Sequence, residues 1–241
     1  MKKTESRIIP EETNPRFFAQ QLKAYELLRR NSNGKIILDV GCGDGYGAAY
    51  LSKVAKEITA IDYEKEIVLK AQAKYIIPNV KYLNMDATNL IFNDYSFDIV
   101  SSFQVIEHIP EEKMSNYLFG IKRVLKNGGE FYVSTLNLEH NVKSPLTYEK
   151  NIAHTKEFNY EEFKALLESV FSSVKIYEMH LTLKHSFYLF LKRSGILNFL
   201  PDSVNPVKKF YNRVTTDDFV AKSLRSRNRK KALDFYAICK K

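Results

Sequence analysis

The 241-residue chain predicts an α/β fold, a mostly parallel sheet with helices on both faces, on three observations. Short apolar runs of strand length alternate with stretches of helical periodicity along the first two thirds of the chain. Four of the nine glycines fall at positions 41, 43, 45 and 47, directly after the first such run, so a strand, a glycine turn and a helix follow one another as the first half of a nucleotide-type βαβ unit. The length, with 44% hydrophobic and 27% charged residues, suits one α/β domain with elaborations.

Each element has its own signal. Residues 17–30 carry Phe18, Leu22, Tyr25 and Leu28 near helical spacing, which predicts a helix before the first strand, covering the ligand side. Residues 36–40 are apolar but for Asp39, as a parallel strand covered on both faces requires. The glycines that follow permit positive φ and a close approach of backbone to ligand, and Ala48, Ala49 and Leu51 continue as a helix. A second strand is predicted over 57–62, a helix over 64–74, a third strand over 80–84, a turn at Asn93-Asp94 and a fourth strand over 97–102. Pro110 with Glu111 and Glu112 starts a helix that runs to Lys126, before Gly128-Gly129. The fifth strand spans 130–135, an amphipathic helix 160–170, an alternating strand 173–179 and the last strand 232–239. No internal repeat or low-complexity tract interrupts the pattern.

The acids choose the ligand. A dinucleotide fingerprint starting at Gly41 requires glycine where Tyr46 stands, and no Gly-Lys-Ser/Thr follows to make a phosphate loop. Asp39 and Asp44 flank the place where a pyrophosphate would lie, and like charge repels it. Asp62 closes the second strand 21 residues after Gly41, where an acid accepts both ribose hydroxyls. A cationic nucleoside satisfies all three observations.

The run 38–47, Leu-Asp-Val-Gly-Cys-Gly-Asp-Gly-Tyr-Gly, followed in order by Asp62, Asn84-Met85-Asp86-Ala87, residues 97–102 and Leu125-Lys126-Asn127-Gly128-Gly129, resembles the class I S-adenosylmethionine-dependent methyltransferases over residues 35–180. The resemblance implies S-adenosylmethionine as cofactor and a Rossmann-like seven-stranded sheet with the last strand antiparallel. It also implies cofactor contacts from Asp39, Gly41, Cys42, Gly43, Gly45, Asp62, Tyr63, Asp86, Ala87, Ser102 and Gln104. A single methyltransferase domain is expected: a helical cap over 1–34, a cofactor-binding core over 35–180, an insertion over 181–231 and the last strand over 232–241.

That insertion is long where the family often has a short hairpin, and is expected to be helical. Residues 181–241 hold 14 Lys+Arg against 4 Asp+Glu, so the +9 net charge of the chain belongs to its carboxy-terminal quarter. Bulky apolar residues at 187–191 and 196–200 sit beside Lys192 and Arg193. Two readings stand: a lid over the acceptor pocket with solvated lysines outside, and a surface for anionic or lipid-linked material at a membrane. The basic run 225–231 reads as a solvated turn. The amino terminus lacks an apolar core and no run is long enough to span a bilayer, which predicts a cytoplasmic protein, peripheral at most at the inner membrane face. Cys42 and Cys239 make no disulfide framework, and Cys42 reads as a small residue between glycines.

At a sulfonium, catalysis is mainly in-line positioning, helped for a hydroxyl acceptor by a base. His154, in a loop after strand five, is the first candidate and His108, after strand four, the second; each also has a structural reading, and His140, His180 and His185 read as structural. A Glu-x-x-Glu-His-x-x-x-x-His metal pattern, as in small-RNA terminal ribose methyltransferases, would start at Gln104 and end at Lys113, so only Glu107 and His108 match and no metal is expected. Residues 7–12, the His154 loop and the ending 232–241 resemble bacterial methyltransferases of surface-glycan tailoring, which implies O-methylation of a sugar hydroxyl in a glycan or glycolipid. The alternatives are a polyprenylated phenol or quinone precursor, to which Glu107-His108-Ile109 is also similar, and a nucleic-acid-binding protein with a relic cofactor fold. No RNA-binding module is found, so a small-molecule or glycan acceptor is the expected partner, nucleic acid is not, and oligomeric state is left open.

Overall fold

In a computed structural model that describes residues 8–142, 148, 150–223 and 229–241, the chain forms one eight-stranded sheet. Residues 225–228 of the basic run therefore lie outside the described residues. Helix α1 (Pro15–Arg29) starts on an Asn14 cap, whose side chain accepts from the Arg16 N–H, with Pro15 in the first turn. Then come β1 (Ile36–Val40), α2 (Tyr46–Leu51), β2 (Glu57–Asp62), α3 (Lys65–Lys74), β3 (Val80–Asn84), β4 (Phe97–Phe103) and α4 (Met114–Val124). The chain continues through β5 (Leu125–Leu136), the short α5 (Leu138–Asn141), α6 (Tyr160–Glu168), β6 (Ser173–Leu181), α7 (Leu183–Ser194), α8 (Pro206–Tyr211), β7 (Phe219–Ser223) and β8 (Asp234–Lys240).

The sheet order is β3-β2-β1-β4-β5-β8-β6-β7. Strands β1 to β5 are parallel, and β8 runs antiparallel to both β5 and β6. The order reverses between β1 and β4, which places the ligand crevice of such a sheet outside the carboxyl ends of these two strands. Two apolar layers cover the sheet: Tyr25, Leu28, Leu51 and Val68 belong to one, and Tyr117, Ile121, Phe163 and Leu167 to the other.

Two expectations change. Helix α4 ends at Val124, two residues early, because Leu125 joins the sheet opposite Phe97, and a register shift carries the ladder on to the pair Ile99 and Glu130. The insertion is not purely helical: β7 pairs antiparallel with β6 and makes an eighth strand where seven were expected. Its reason is apolar. Phe210, Val214 and Phe219 are buried with Met179, Leu233 and Ala19, and Tyr188 stacks on Phe210 with ring centroids 4.2 Å apart. The described part of the insertion thus packs at the sheet edge and against α1.

The carboxyl end of β1 carries a buried acid. Asp39 is fully buried and accepts hydrogen bonds from Ser101 Oγ of β4 (2.7 Å) and from Tyr25 Oη of α1 (3.2 Å). Tyr25 in turn lies edge-on to Phe103 and Tyr46 and covers Gly47, where an added Cβ would stand 2.0 Å from the Tyr25 ring. Gly47→Ala is therefore expected to destabilise by about 1–3 kcal/mol, the usual cost of overpacking. Gly120, inside α4, would meet its nearest neighbour at 3.8 Å, so Gly120→Ala is expected to stabilise by about 0.5–1 kcal/mol. Denaturant unfolding of the pair checks the contrast.

Burial outweighs the two hydroxyl donors and pushes the Asp39 carboxyl up to about 7. The folded chain then holds this proton to higher pH than the unfolded chain, so the stability it contributes is present below about pH 4 and is lost as pH rises to about 7. Unfolding midpoints measured across that window are expected to fall less steeply in Asp39→Asn than in the parent. An unchanged slope would show that Asp39 is ionised throughout.

Candidate functional site

A cleft of about 680 Å³ opens at the carboxyl ends of β1, β2 and β4. Its floor is the glycine loop. Gly41 and Cys42 N–H donate to the Ile61 carbonyl (2.8 and 2.9 Å), which folds the loop back onto β2. Gly41 has φ +72°, and a Cβ there would stand 2.3 Å from Val105, so the position demands glycine twice over. On the adjoining wall Asp62 accepts from Gly43 N–H (2.9 Å) and Glu64 N–H (3.1 Å). Asp86 accepts from the Thr88 N–H and hydroxyl (both 2.8 Å) and lies 3.9 Å from Lys113. Phe17, Gln21 and Tyr25 of α1 also line the cleft.

Gln104, just past β4, has φ +56° without being glycine. Its N–H donates to the Ser134 carbonyl (3.0 Å) and its side-chain amide to Ser134 Oγ (3.2 Å), contacts that hold it in a conformation uncommon outside functional turns.

Of the residues expected at the cofactor, Gly41, Cys42, Gly43, Asp62, Tyr63, Asp86, Ala87 and Gln104 line this cleft. The others lie outside it. Asp39 is buried beneath the loop under Tyr25, as described above. Gly45 precedes α2 in a left-handed conformation beside Tyr82 and Ala71. Ser102 is fully buried and accepts from Tyr117 Oη (2.8 Å), because successive residues of a strand face opposite sides and Ser101 already faces Asp39. Asp44 is turned onto Lys74 (2.8 Å).

The far end of the cleft is made by two separate segments. Residues 106–108 form a 3-10 turn after β4, and the loop 151–158 arrives after β5. Thr155 fastens them: its N–H and hydroxyl donate to the Glu107 carbonyl (2.8 and 3.0 Å), and the hydroxyl also to that of Ile109 (2.6 Å). As a result the His108 and His154 rings meet edge to face with centroids 4.9 Å apart. One ligand atom from each of Glu107, His108 and His154 lies within 4.8 Å of the others. The carboxylate of Glu107 is nearly inaccessible, accepts from Thr135 Oγ (3.2 Å), and is pushed up to about 8 by burial.

The two rings are oriented by their other nitrogens. His108 Nδ1 lies 2.8 Å from the Ala153 carbonyl, which only accepts, so that nitrogen carries the proton in the neutral ring and Nε2 is left basic. His154 Nδ1 lies 2.7 Å from Glu157 Oε1, and its Nε2 lies 3.2 Å from the Asn151 side-chain amide. Burial, then His108 and Lys150, push His154 down to about 4, while burial pushes Glu157 up, so the contact is a hydrogen bond from a neutral ring more than an ion pair. Of the two candidate bases, His154 has both ring nitrogens engaged, whereas His108 is held through Nδ1 and keeps its Nε2 open. Sequence reasoning brings Glu107 and His108 together after strand four but does not join His154 to them. The signal available was Thr155, a hydroxyl residue one position after the histidine, but its partner is a carbonyl that no pattern announces.

Among the described residues none of 181–231 lines the cleft, whose lining includes residues of α1 and of the 151–158 loop. The remaining histidines stand apart: His180 pairs with Glu178 (2.9 Å) and His185 is buried among Phe210, Tyr211 and Phe219.

The family profile described as "Methyltransferase domain" matches residues 38–133. A probable S-adenosylmethionine-dependent methyltransferase of Mycolicibacterium smegmatis is 34% identical over 156 residues, 64% of this chain and 58% of that protein. A ubiquinone biosynthesis O-methyltransferase of Xanthomonas oryzae is 31% identical over 122 residues, 47% of this chain and 48% of that one. The chain thus spans about half the length of the curated relatives it matches. Among solved structures, a Thermotoga maritima methyltransferase described as a possible histamine N-methyltransferase superposes with TM-score 0.61 at 16% identity, over 94% of this chain and 91% of that one. The loop, acids and strand order lie where this fold places its ligand crevice, and it is through residues 38–133 that the chain matches the methyltransferase-domain family.

Proposed function

We propose that the chain is an enzyme that binds S-adenosylmethionine in this cleft and methylates a hydroxyl oxygen, a sugar hydroxyl of a glycan or glycolipid. The observation that carries the reading is one cleft with two chemically different ends: a glycine loop with the acids Asp62 and Asp86 at one, and Glu107, His108 and His154 at the other. The first end fits the cofactor. Asp62, half-buried at the wall, is the acceptor for the ribose diol; Asp86 and Ala87 meet the adenine, with Tyr63 at the rim; the loop backbone and Gln104 hold the methionine part. When bound, S-adenosylmethionine supplies a methyl group already electrophilic on its sulfonium.

The second end argues for oxygen as the acceptor atom. A neutral amine presents a lone pair and needs no base at the moment of attack, whereas a hydroxyl must lose a proton, and the open Nε2 of His108 at the acceptor end answers that need. It also favours an alcohol over a phenol. A phenol ionises near pH 10 unaided, and an aliphatic hydroxyl is less acidic, so the assistance is worth more to a sugar.

The exposed apolar residues Leu183, Phe187, Phe190, Ile196 and Phe199 stand with Lys184, Lys192 and Arg193 on and just after α7. We place here a peripheral contact of a cytoplasmic enzyme with an anionic membrane that carries a lipid-linked acceptor. No helix among the described residues is long and apolar enough to cross a membrane.

Three experiments test these readings. Asp62→Ala is expected to weaken S-adenosylmethionine binding by about 1.5–3 kcal/mol in calorimetry, the range for hydrogen bonds to a charged group. His108→Ala should leave that affinity unchanged and lower turnover roughly a hundredfold or more. Unaltered binding in a folded Asp62→Ala protein would sink the ribose assignment. For the membrane contact, sedimentation with anionic vesicles should be salt-sensitive and lost in Lys192→Glu/Arg193→Glu; no sedimentation at low salt would remove it.

A further inference from the structure

We infer that Glu107, His108 and His154 form a binding site for one divalent transition-metal ion, with open coordination positions facing the acceptor end of the cleft. The inference rests on the proposed methyl transfer for its purpose, but not for its existence. Its basis is convergence. One potential ligand atom from each residue lies within 4.8 Å of the other two, although His154 arrives from a loop 46 residues downstream of His108. Donors held cis on one ion with bonds of about 2.1 Å stand about 3 Å apart, so a contraction within reach of ring and carboxylate rotations closes the site.

The surroundings are those of ligands already oriented for a metal. A metal-bound histidine typically donates its other ring N–H to a carbonyl or carboxylate, and both modes occur here. His108 Nδ1 is held by the Ala153 carbonyl at 2.8 Å and His154 Nδ1 by Glu157 at 2.7 Å, which leaves Nε2 of each ring for the ion. Glu107 is fixed by Thr135 Oγ at 3.2 Å. The second oxygen of Glu157 is buried with no hydrogen-bond partner among the described residues, a feature of a carboxylate whose charge lacks compensation. One contact competes: the Asn151 side-chain amide sits 3.2 Å from His154 Nε2, and this exposed residue at the loop tip must turn away when an ion binds. Nearby lysines are engaged elsewhere, Lys113 with Asp86 at 3.9 Å and Lys150 with the Thr155 carbonyl at 3.0 Å.

Two imidazoles and one carboxylate select manganese, iron, cobalt or zinc over magnesium or calcium, which prefer oxygen alone. Three protein ligands leave positions open, and the cleft is the side from which they are reached. A hydroxyl oxygen of the acceptor entering there would have its proton made more acidic by the cation, and the proton would leave to water. With an ion bound, His108 is a ligand and no longer a free base, and the cation takes over the activation of the hydroxyl. Such a site reverses the expectation from sequence that no metal is bound, which considered a single continuous pattern and found only Glu107 and His108.

The test uses chelator-stripped protein titrated with Co2+, read by the visible absorption of the complex, and with Zn2+ and Mn2+ by calorimetry. One ion per chain is expected. Affinity should fall at least tenfold in Glu107→Gln and in His154→Ala, and 10- to 100-fold in Glu157→Gln, which retains the ligands and perturbs only their orientation. Asp62→Ala should bind metal as the parent does. Failure of the folded parent to bind any of the three ions at millimolar concentration would overturn the proposal, as would affinity unchanged in Glu107→Gln, His154→Ala and Glu157→Gln alike. S-adenosylmethionine binding measured on the same preparations separates the two readings: metal bound without cofactor leaves this site standing and removes the methyl-transfer purpose.

Discussion

One carboxylate, buried at the end of the central strand, sets the terms for the rest of the site. Asp39 is reached by Tyr25 from α1 and by Ser101 from β4, so a single group ties the amino-terminal helix to the two strands between which the sheet order reverses. Tyr25 held in this way forms part of the cleft wall and leaves no room for a side chain at position 47. The glycines therefore divide by cause. Gly47 yields to a neighbouring ring, whereas Gly41 is required by its own φ and by Val105.

The cleft built on that base is assembled at its far end by a second constraint, the Thr155 contacts to the carbonyls of Glu107 and Ile109. They convert two loops into one surface and bring His154 against His108. Glu107, whose carboxyl is pushed up to about 8 by burial, is thereby set among the Thr135 hydroxyl and these two rings. The costs of the site, a left-handed Gln104 and a buried acid, are offset by the two packed layers on the sheet rather than by the site itself.

Much of this was legible in sequence because the signals are local. The strand limits 36–40, 57–62 and 80–84 agree with the structure to the residue, since glycine, acid or asparagine stands at or next to the ends of these runs. The limits of α4 were misread because Leu125 fits a helix and a strand equally, and pairing with Phe97 decides between them. Strand β7 escaped because residues 219–223 gain their β conformation from β6, not from their own composition. Ser102 was assigned to the cofactor by its place in a motif, and only the alternation fixed by Ser101 on Asp39 turns it away. Within the insertion, the buried apolar residues Phe210, Val214 and Phe219 are claimed by the sheet edge and α1.

The central claim is that acids at a glycine loop make this cleft select a cationic nucleoside over a pyrophosphate. Calorimetric titration of the unaltered protein with S-adenosylmethionine, ATP and NAD under one set of conditions tests it most directly. The account predicts one S-adenosylmethionine bound per chain and no heat of binding from ATP or NAD at the same concentrations. Binding of either phosphate-bearing nucleotide with affinity equal to or greater than that of S-adenosylmethionine would contradict it.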